Sequence, residues 1–157
     1  MQSNTTTIEV LNDLIRINND RITGYKKAID EAGSLNVDLK AIFSNFIGDS
    51  EQYKRDLQQK VMELGGEAAD DNTTLSGKIY RAWMDVKATF TGTDRTAILS
   101  SCEFGEDAAQ KAYKSALDNT EALVAEATVL IRDQKDSLKN AHDIIKKYRD
   151  VHQATQS

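Results

Sequence analysis

No proline interrupts this 157-residue chain, and apolar residues return at spacings of three, four and seven through most of its length. Proline inside a helix costs about 3 kcal/mol, because a hydrogen bond is lost and the ring clashes with the preceding turn. A chain free of it that keeps a 3.6-residue apolar period is suited to long helices. Only 8 glycines occur, and most stand between the periodic segments. No segment alternates strongly enough to read as a strand.

The first helix is expected over about residues 7–32, on the stripe Ile8, Leu11, Ile15, Ile22, Tyr25 and Ile29, with Asn18 in its gap. Thr6 and Glu9 have the spacing of a capping box. Gly33 and Ser34 end it. A second helix is expected over about residues 36–64, through Leu39, Ile42 or Phe43, Phe46, Tyr53, Leu57, Val61 and Leu64. Gly48 falls inside it, but the pattern resumes in phase, so one helix continues at a glycine cost of about 1 kcal/mol. Gly65 and Gly66 stop it.

Residues 67–74 are polar and read as a loop, followed by a shorter helix over about residues 75–90 with Ile79, Ala82, Trp83, Val86 and Phe90 on one side. Residues 91–94 break the pattern and recap it. A third long helix covers about residues 95–117, with Ile98, Ala109, Ala112, Ala116 and Leu117 inward. After a turn at 118–121 the last helix is expected to reach about residue 152. Its stripe is Leu123, Ala127, Leu130, Ile131, Leu138, Ala141, Ile145 and Tyr148, and Asp143 and Lys147 form an i,i+4 pair on its outside.

Short loops make each pair of long helices an antiparallel hairpin, and one long link carrying the shorter helix joins the pairs. That is the connectivity of ferritin-like bundles. The expected fold is therefore all-α: an antiparallel four-helix bundle, ferritin-like, with an extra short helix in the crossover between helix two and helix three. It forms a single domain over residues 1–157, with an ordered core over about 7–152.

The net charge of −5 argues against a general nucleic-acid binder. No apolar stretch approaches the roughly 18 residues needed to span a bilayer. Cys102 is the only cysteine, so no intramolecular disulfide forms, and the opening residues show no secretory signal. A cytoplasmic protein is the expectation.

Several segments are more distinctive: Leu11-Asn12-Asp13-Leu14-Ile15, Gly65-Gly66-Glu67, Leu75-Ser76-Gly77, Arg81-Ala82-Trp83-Met84-Asp85-Val86-Lys87-Ala88, Thr91-Gly92, the run from Cys102 to Tyr113, and Ala141-His142-Asp143-Ile144-Ile145. Together they resemble an uncharacterised bacterial family of ferritin-like four-helix-bundle proteins, known as a domain of unknown function. The resemblance runs to about residue 150. It implies the fold, and a fold carries no activity with it.

A di-iron bundle needs a glutamate on each of two helices and Glu-x-x-His on each of the other two. No Glu-x-x-His occurs in the sequence. Glu103 and Glu106 are the best fragment. His142 has Lys139 three residues before it, Glu51 has Lys54 three residues after it, and the first helix offers Asn18 and Arg16. Counting back from the turn places Glu103 and Glu106 opposite residues 133–136, with His142 roughly 10 Å further along the axis. Glu103, Glu106 and His142 are thus the metal candidates, and they are not expected to converge. The ordinary reading of the two glutamates is solvated or locally hydrogen-bonded side chains.

Cys102 reads as a buried small hydrophobe, and His142 as a boundary residue. Asn18, Tyr25, Tyr53, Gln134 and His142 are expected to form a buried polar network. Trp83 either plugs the open end of the bundle or covers a partner's surface. The reading is a non-catalytic ferritin-like bundle without a catalytic residue or cofactor, forming a homo-oligomer such as a dimer. One alternative is an atypical carboxylate protein binding iron or manganese in a stress response. The other is an interaction module using the crossover helix.

Overall fold

In the computed structural model the helices are α1 (Asn4–Ala32), α2 (Val37–Glu63), α3 (Lys78–Val86), α4 (Arg95–Ala116) and α5 (Ala125–Gln156), with a 3-10 turn at Thr120–Ala122. The structure describes residues 4–33, 36–69, 78–86, 94–118 and 120–156, and no strand occurs among them. The rest of the expected loop at 67–74 and of the expected helix at 75–90 lies outside the described residues. α1 pairs with α2 and α4 with α5; α1 also packs on α4, and α3 lies against both. This is the four-helix bundle with a helical crossover that the apolar pattern implies.

The ends of the helices follow local chemistry. Gly33 and Gly65 take φ of +69° and +85°, the left-handed conformation that ends a helix and that a Cβ disfavours. At Gly66 the chain passes so close to α1 that a Cβ would lie 2.8 Å from carbons of the Ile8 side chain. Asp94 caps α4 by accepting the Ala97 N–H at 2.8 Å. Gly48 leaves α2 unbroken. The start of α1 differs from the Thr6–Glu9 capping box: the helix already runs at Asn4. Thr7 is buried, and its hydroxyl accepts the Val124 N–H at 3.0 Å, tethering the turn before α5.

The core falls into two apolar clusters. One contains Leu11, Leu14, Ile17, Leu57, Val61, Ala109, Tyr113, Ala127, Ile131 and Leu138. The other contains Tyr25, Ala28, Leu39, Phe43, Phe46, Leu99, Cys102, Ala141 and Ile145. Along α1, α2 and α4 the change from one to the other falls at Asn18 and Arg21, Ser50 and Glu106, all of them buried. A polar belt therefore crosses the middle of the bundle.

The crossover is fastened to α1 by polar groups. Asn12 donates to the Glu67 carbonyl at 3.0 Å and accepts the Ala69 N–H at 2.8 Å. The Asp13 carboxylate accepts the backbone N–H groups of Ile79 and Tyr80, so it caps the first turn of α3 from another helix. Burial pushes Asp13 above the usual carboxylate range, against the opposing pull of Arg16 at 2.9 Å. Asp20 accepts from the Tyr80 hydroxyl at 2.8 Å and from Trp83 Nε1 at 3.0 Å. Trp83 is 5% exposed. Its indole N–H reaches Asp20, midway along α1, so Trp83 packs against the side of the bundle.

Candidate functional site

The belt is built around Arg21, which projects from α1 at the level where both hairpins contribute polar groups. Its Nε donates to Glu106 Oε1 at 2.7 Å, and Nη2 donates to Oε2 at 3.3 Å. Its Nη1 donates to the Phe46 carbonyl at 3.1 Å and to Ser50 Oγ at 2.6 Å. The Tyr25 hydroxyl donates to Glu106 Oε1 at 2.9 Å. The Arg21 guanidinium also stands 5.1 Å from the Tyr25 ring centroid and 5.5 Å from that of Phe46. Burial is the largest influence on Arg21 and opposes its charge, but Glu106, with smaller contributions from Tyr25 and Tyr53, raises the pKa overall, so this group stays a cation. Burial, and then Glu106, hold the Tyr25 phenol well above its usual value.

One level further along, a chain of neutral groups ties the two hairpins together. Asn18 Nδ2 donates to the Leu14 carbonyl at 2.9 Å and to Tyr113 Oη at 2.8 Å. The Tyr113 hydroxyl donates to Gln134 Oε1 at 2.7 Å, and Gln134 Nε2 donates to the Tyr53 carbonyl at 3.1 Å. The Tyr53 hydroxyl bonds Ser137. The expected network of Asn18, Tyr25, Tyr53, Gln134 and His142 is therefore divided. Tyr25 belongs to the ion pair, Tyr113 is an unexpected central member, and His142 stands elsewhere. Glu106 is likewise not a solvated side chain: it is 2% exposed and ion-paired.

Cys102 lies one helical turn from Glu106, 1% exposed. Burial, and then the Glu106 charge, raise its pKa well above the ordinary thiol value. The thiolate is the reactive form. An aromatic disulfide reagent is expected to label Cys102 at least about 100-fold more slowly in the native chain than in the denatured one. Rapid labelling of the folded protein would contradict its burial.

The other concentration of ionisable groups lies on the α4–α5 seam. Glu103, Asp107 and His142 each offer one donor atom, and all three atoms lie within 4.8 Å of one another. His142 Nε2 stands 2.6 Å from Asp107 Oδ1, and Nδ1 stands 3.1 Å from Asp143 Oδ1. Burial works against charge on this ring, but the hydrogen bonds that Asp143 and Asp107 accept, together with their negative charges, raise its pKa overall. Arg149 pairs with Glu103. Asp143 also faces Lys139 at 4.0 Å, one turn back along α5, in place of the expected partner Lys147.

The separation of about two turns expected between His142 and the α4 glutamates is thus corrected. The reason is the turn: α5 opens at Ala125, after a 3-10 segment, and not at about residue 121. The longer connection shifts the whole hairpin register. Of the three metal candidates, Glu103 and His142 meet on the seam, while Glu106 faces the interior and Arg21.

Residues 6–119 match the family described as "Domain of unknown function (DUF2383)". The chain belongs to the DUF2383 family. No match is found for it among the curated proteins. Among solved structures, this DUF2383 chain is similar to a point mutant of Dps1 from Mycobacterium smegmatis. The TM-score is 0.78 at 10% identity, covering 93% of this chain and 96% of that one. It is also similar to the bacterioferritin-related protein of Bacteroides fragilis, described as a dodecameric thioferritin. There the TM-score is 0.77 at 13% identity, covering 99% of this chain and 91% of that one. At such identities the likeness shows the fold alone: the DUF2383 chain is a ferritin-like four-helix bundle.

Proposed function

We propose that this chain is a non-catalytic, self-associating ferritin-like bundle whose centre is closed by a salt bridge instead of a metal pair. The observation that carries the reading is the Arg21–Glu106 pair, with side chains 4% and 2% exposed. A di-metal centre needs several anionic or imidazole donors free to converge. Here both Glu106 oxygens are already taken by Arg21, one of them shared with Tyr25. A fixed guanidinium at that level repels a dication at short range in a medium of low dielectric constant.

Self-association is supported by two observations. The bacterioferritin-related neighbour is dodecameric. On this chain Met62, Phe104, Val129 and Val151 are each more than half exposed. A loose meeting of α2 and α5 also leaves an open groove of about 520 Å³ lined by Ile42, Phe46, Ile144 and Tyr148, among others. The alternative of an interaction module built on Trp83 is disfavoured, since that side chain is spent on its own fold. No helix among the described residues is long and apolar enough to cross a membrane. A lone buried thiol suits a reducing compartment, and we place the protein in the cytoplasm.

Light scattering is expected to give the mass of two or more chains of 17.5 kDa each. Metal analysis of a His142→Ala variant, purified without chelators, is expected to find no tightly held iron or manganese. A monomer at micromolar concentration would overturn self-association. One or two tightly held ions per chain in that variant would overturn the closed centre.

A further inference from the structure

We infer that Glu103, Asp107 and His142, with Asp143 behind the histidine, form a binding site for a single divalent first-row transition metal on the α4–α5 seam. Glu103 and Asp107 are four residues apart on α4, so they share one face one turn from each other. His142 meets them from α5 across the hairpin, and one donor atom from each of the three lies within 4.8 Å of the others. Donors bound to a zinc-like ion at about 2.0–2.2 Å stand about 3.3–3.6 Å from each other, so the 2.6 Å His142–Asp107 contact has to open by about an ångström to admit the ion.

The arrangement differs from a patch of surface acids in the use made of the imidazole. Nε2 points at Asp107, and Nδ1 is held by the carboxylate of Asp143. A carboxylate on the far ring nitrogen is the support that fixes the orientation and tautomer of metal-binding histidines. Glu103, with its side chain 15% exposed, is paired through one oxygen with Arg149, so an ion has to use its other oxygen or displace that guanidinium. The site is independent of the central belt: none of its four residues touches Arg21 or Glu106 through a hydrogen bond or ion pair among those described.

The donor set points to the metal class. One imidazole with two carboxylates suits zinc, ferrous iron or cobalt, whereas magnesium and calcium prefer oxygen alone. An ion at Nε2 takes the place of the contact with Asp107, while Nδ1 keeps Asp143 as its partner. Three protein donors at a solvent-facing seam leave at least one position for water or for a small anionic ligand.

Zinc titration of the full chain by calorimetry in chelator-free buffer is expected to show one Zn²⁺ per chain. His142→Ala and Asp107→Asn should each weaken it at least about 100-fold, and Asp143→Asn should weaken it about 10–100-fold without removing a ligand atom. All three positions sit at the surface or half-buried, so circular dichroism of the variants should match the parent. In nitrogen-edited spectra the His142 Nε2 resonance should move on zinc addition far more than Nδ1. The proposal is overturned if no zinc binds up to millimolar concentration. It is overturned equally if His142→Ala binds as tightly as the parent, which would mean adventitious surface binding only.

Discussion

Replacing Glu106 by leucine is expected to destabilise the chain by about 3–5 kcal/mol, because it leaves the Arg21 charge buried without a counter-charge. Arg21 would keep only the Phe46 carbonyl and Ser50 Oγ as acceptors, and the Tyr25 hydroxyl would lose its partner. The informative comparison is the double variant Arg21→Met/Glu106→Leu. Removing both charges removes the desolvation cost along with the attraction, and apolar groups of similar volume often restore stability or exceed it by about 1–4 kcal/mol. Urea denaturation of the parent, both single variants and the double variant measures the coupling directly. A single-variant loss below about 1 kcal/mol would mean that water reaches the pair and that the centre is not sealed.

Trp83→Ala should cost about 3–5 kcal/mol, the range for deleting a buried indole. Two effects add. The side chain belongs to the same buried cluster as Ala108 and Ala112, and its N–H donates to Asp20 beside the Tyr80 hydroxyl. The loss is expected to be uneven. α3 has little to bury besides its contacts with α1 and α4, so protection against amide hydrogen exchange should collapse there first. Unchanged exchange across residues 78–86 would show that Asp13 and Tyr80 suffice to hold the helix.

The helices were legible because their signal is redundant. In α2, Leu39, Phe43, Phe46, Leu57 and Val61 are all buried, and they keep the helical phase straight through Gly48. The belt was less legible, although the same phase contains it. Arg21 falls three residues after Asn18 and four before Tyr25; Glu106 falls four after Cys102 and three before Ala109. Opposite charges on the inward stripes of two helices are the trace of a buried pair, but a charge ordinarily marks an outer face, which masks Arg21 in the sequence. The seam was missed for another reason. Whether His142 meets Glu103 depends on where α5 begins, and a 3-10 turn of three residues moved that point beyond what spacing alone reveals. Asp107 and Asp143 carry no sequence signal beyond their nearness to that histidine.

Many of the polar ties that join the elements end on α1. Thr7 holds the turn before α5, Asn12 the start of the crossover, Asp13 and Asp20 the crossover helix, Asn18 the second hairpin, and Arg21 both α2 and α4. During synthesis this helix is made before the other four, and its partners follow as many as 117 residues later. Its buried polar groups must stay hydrated until the final hairpin arrives, so a truncated chain lacking α4 and α5 has no dry state to settle into.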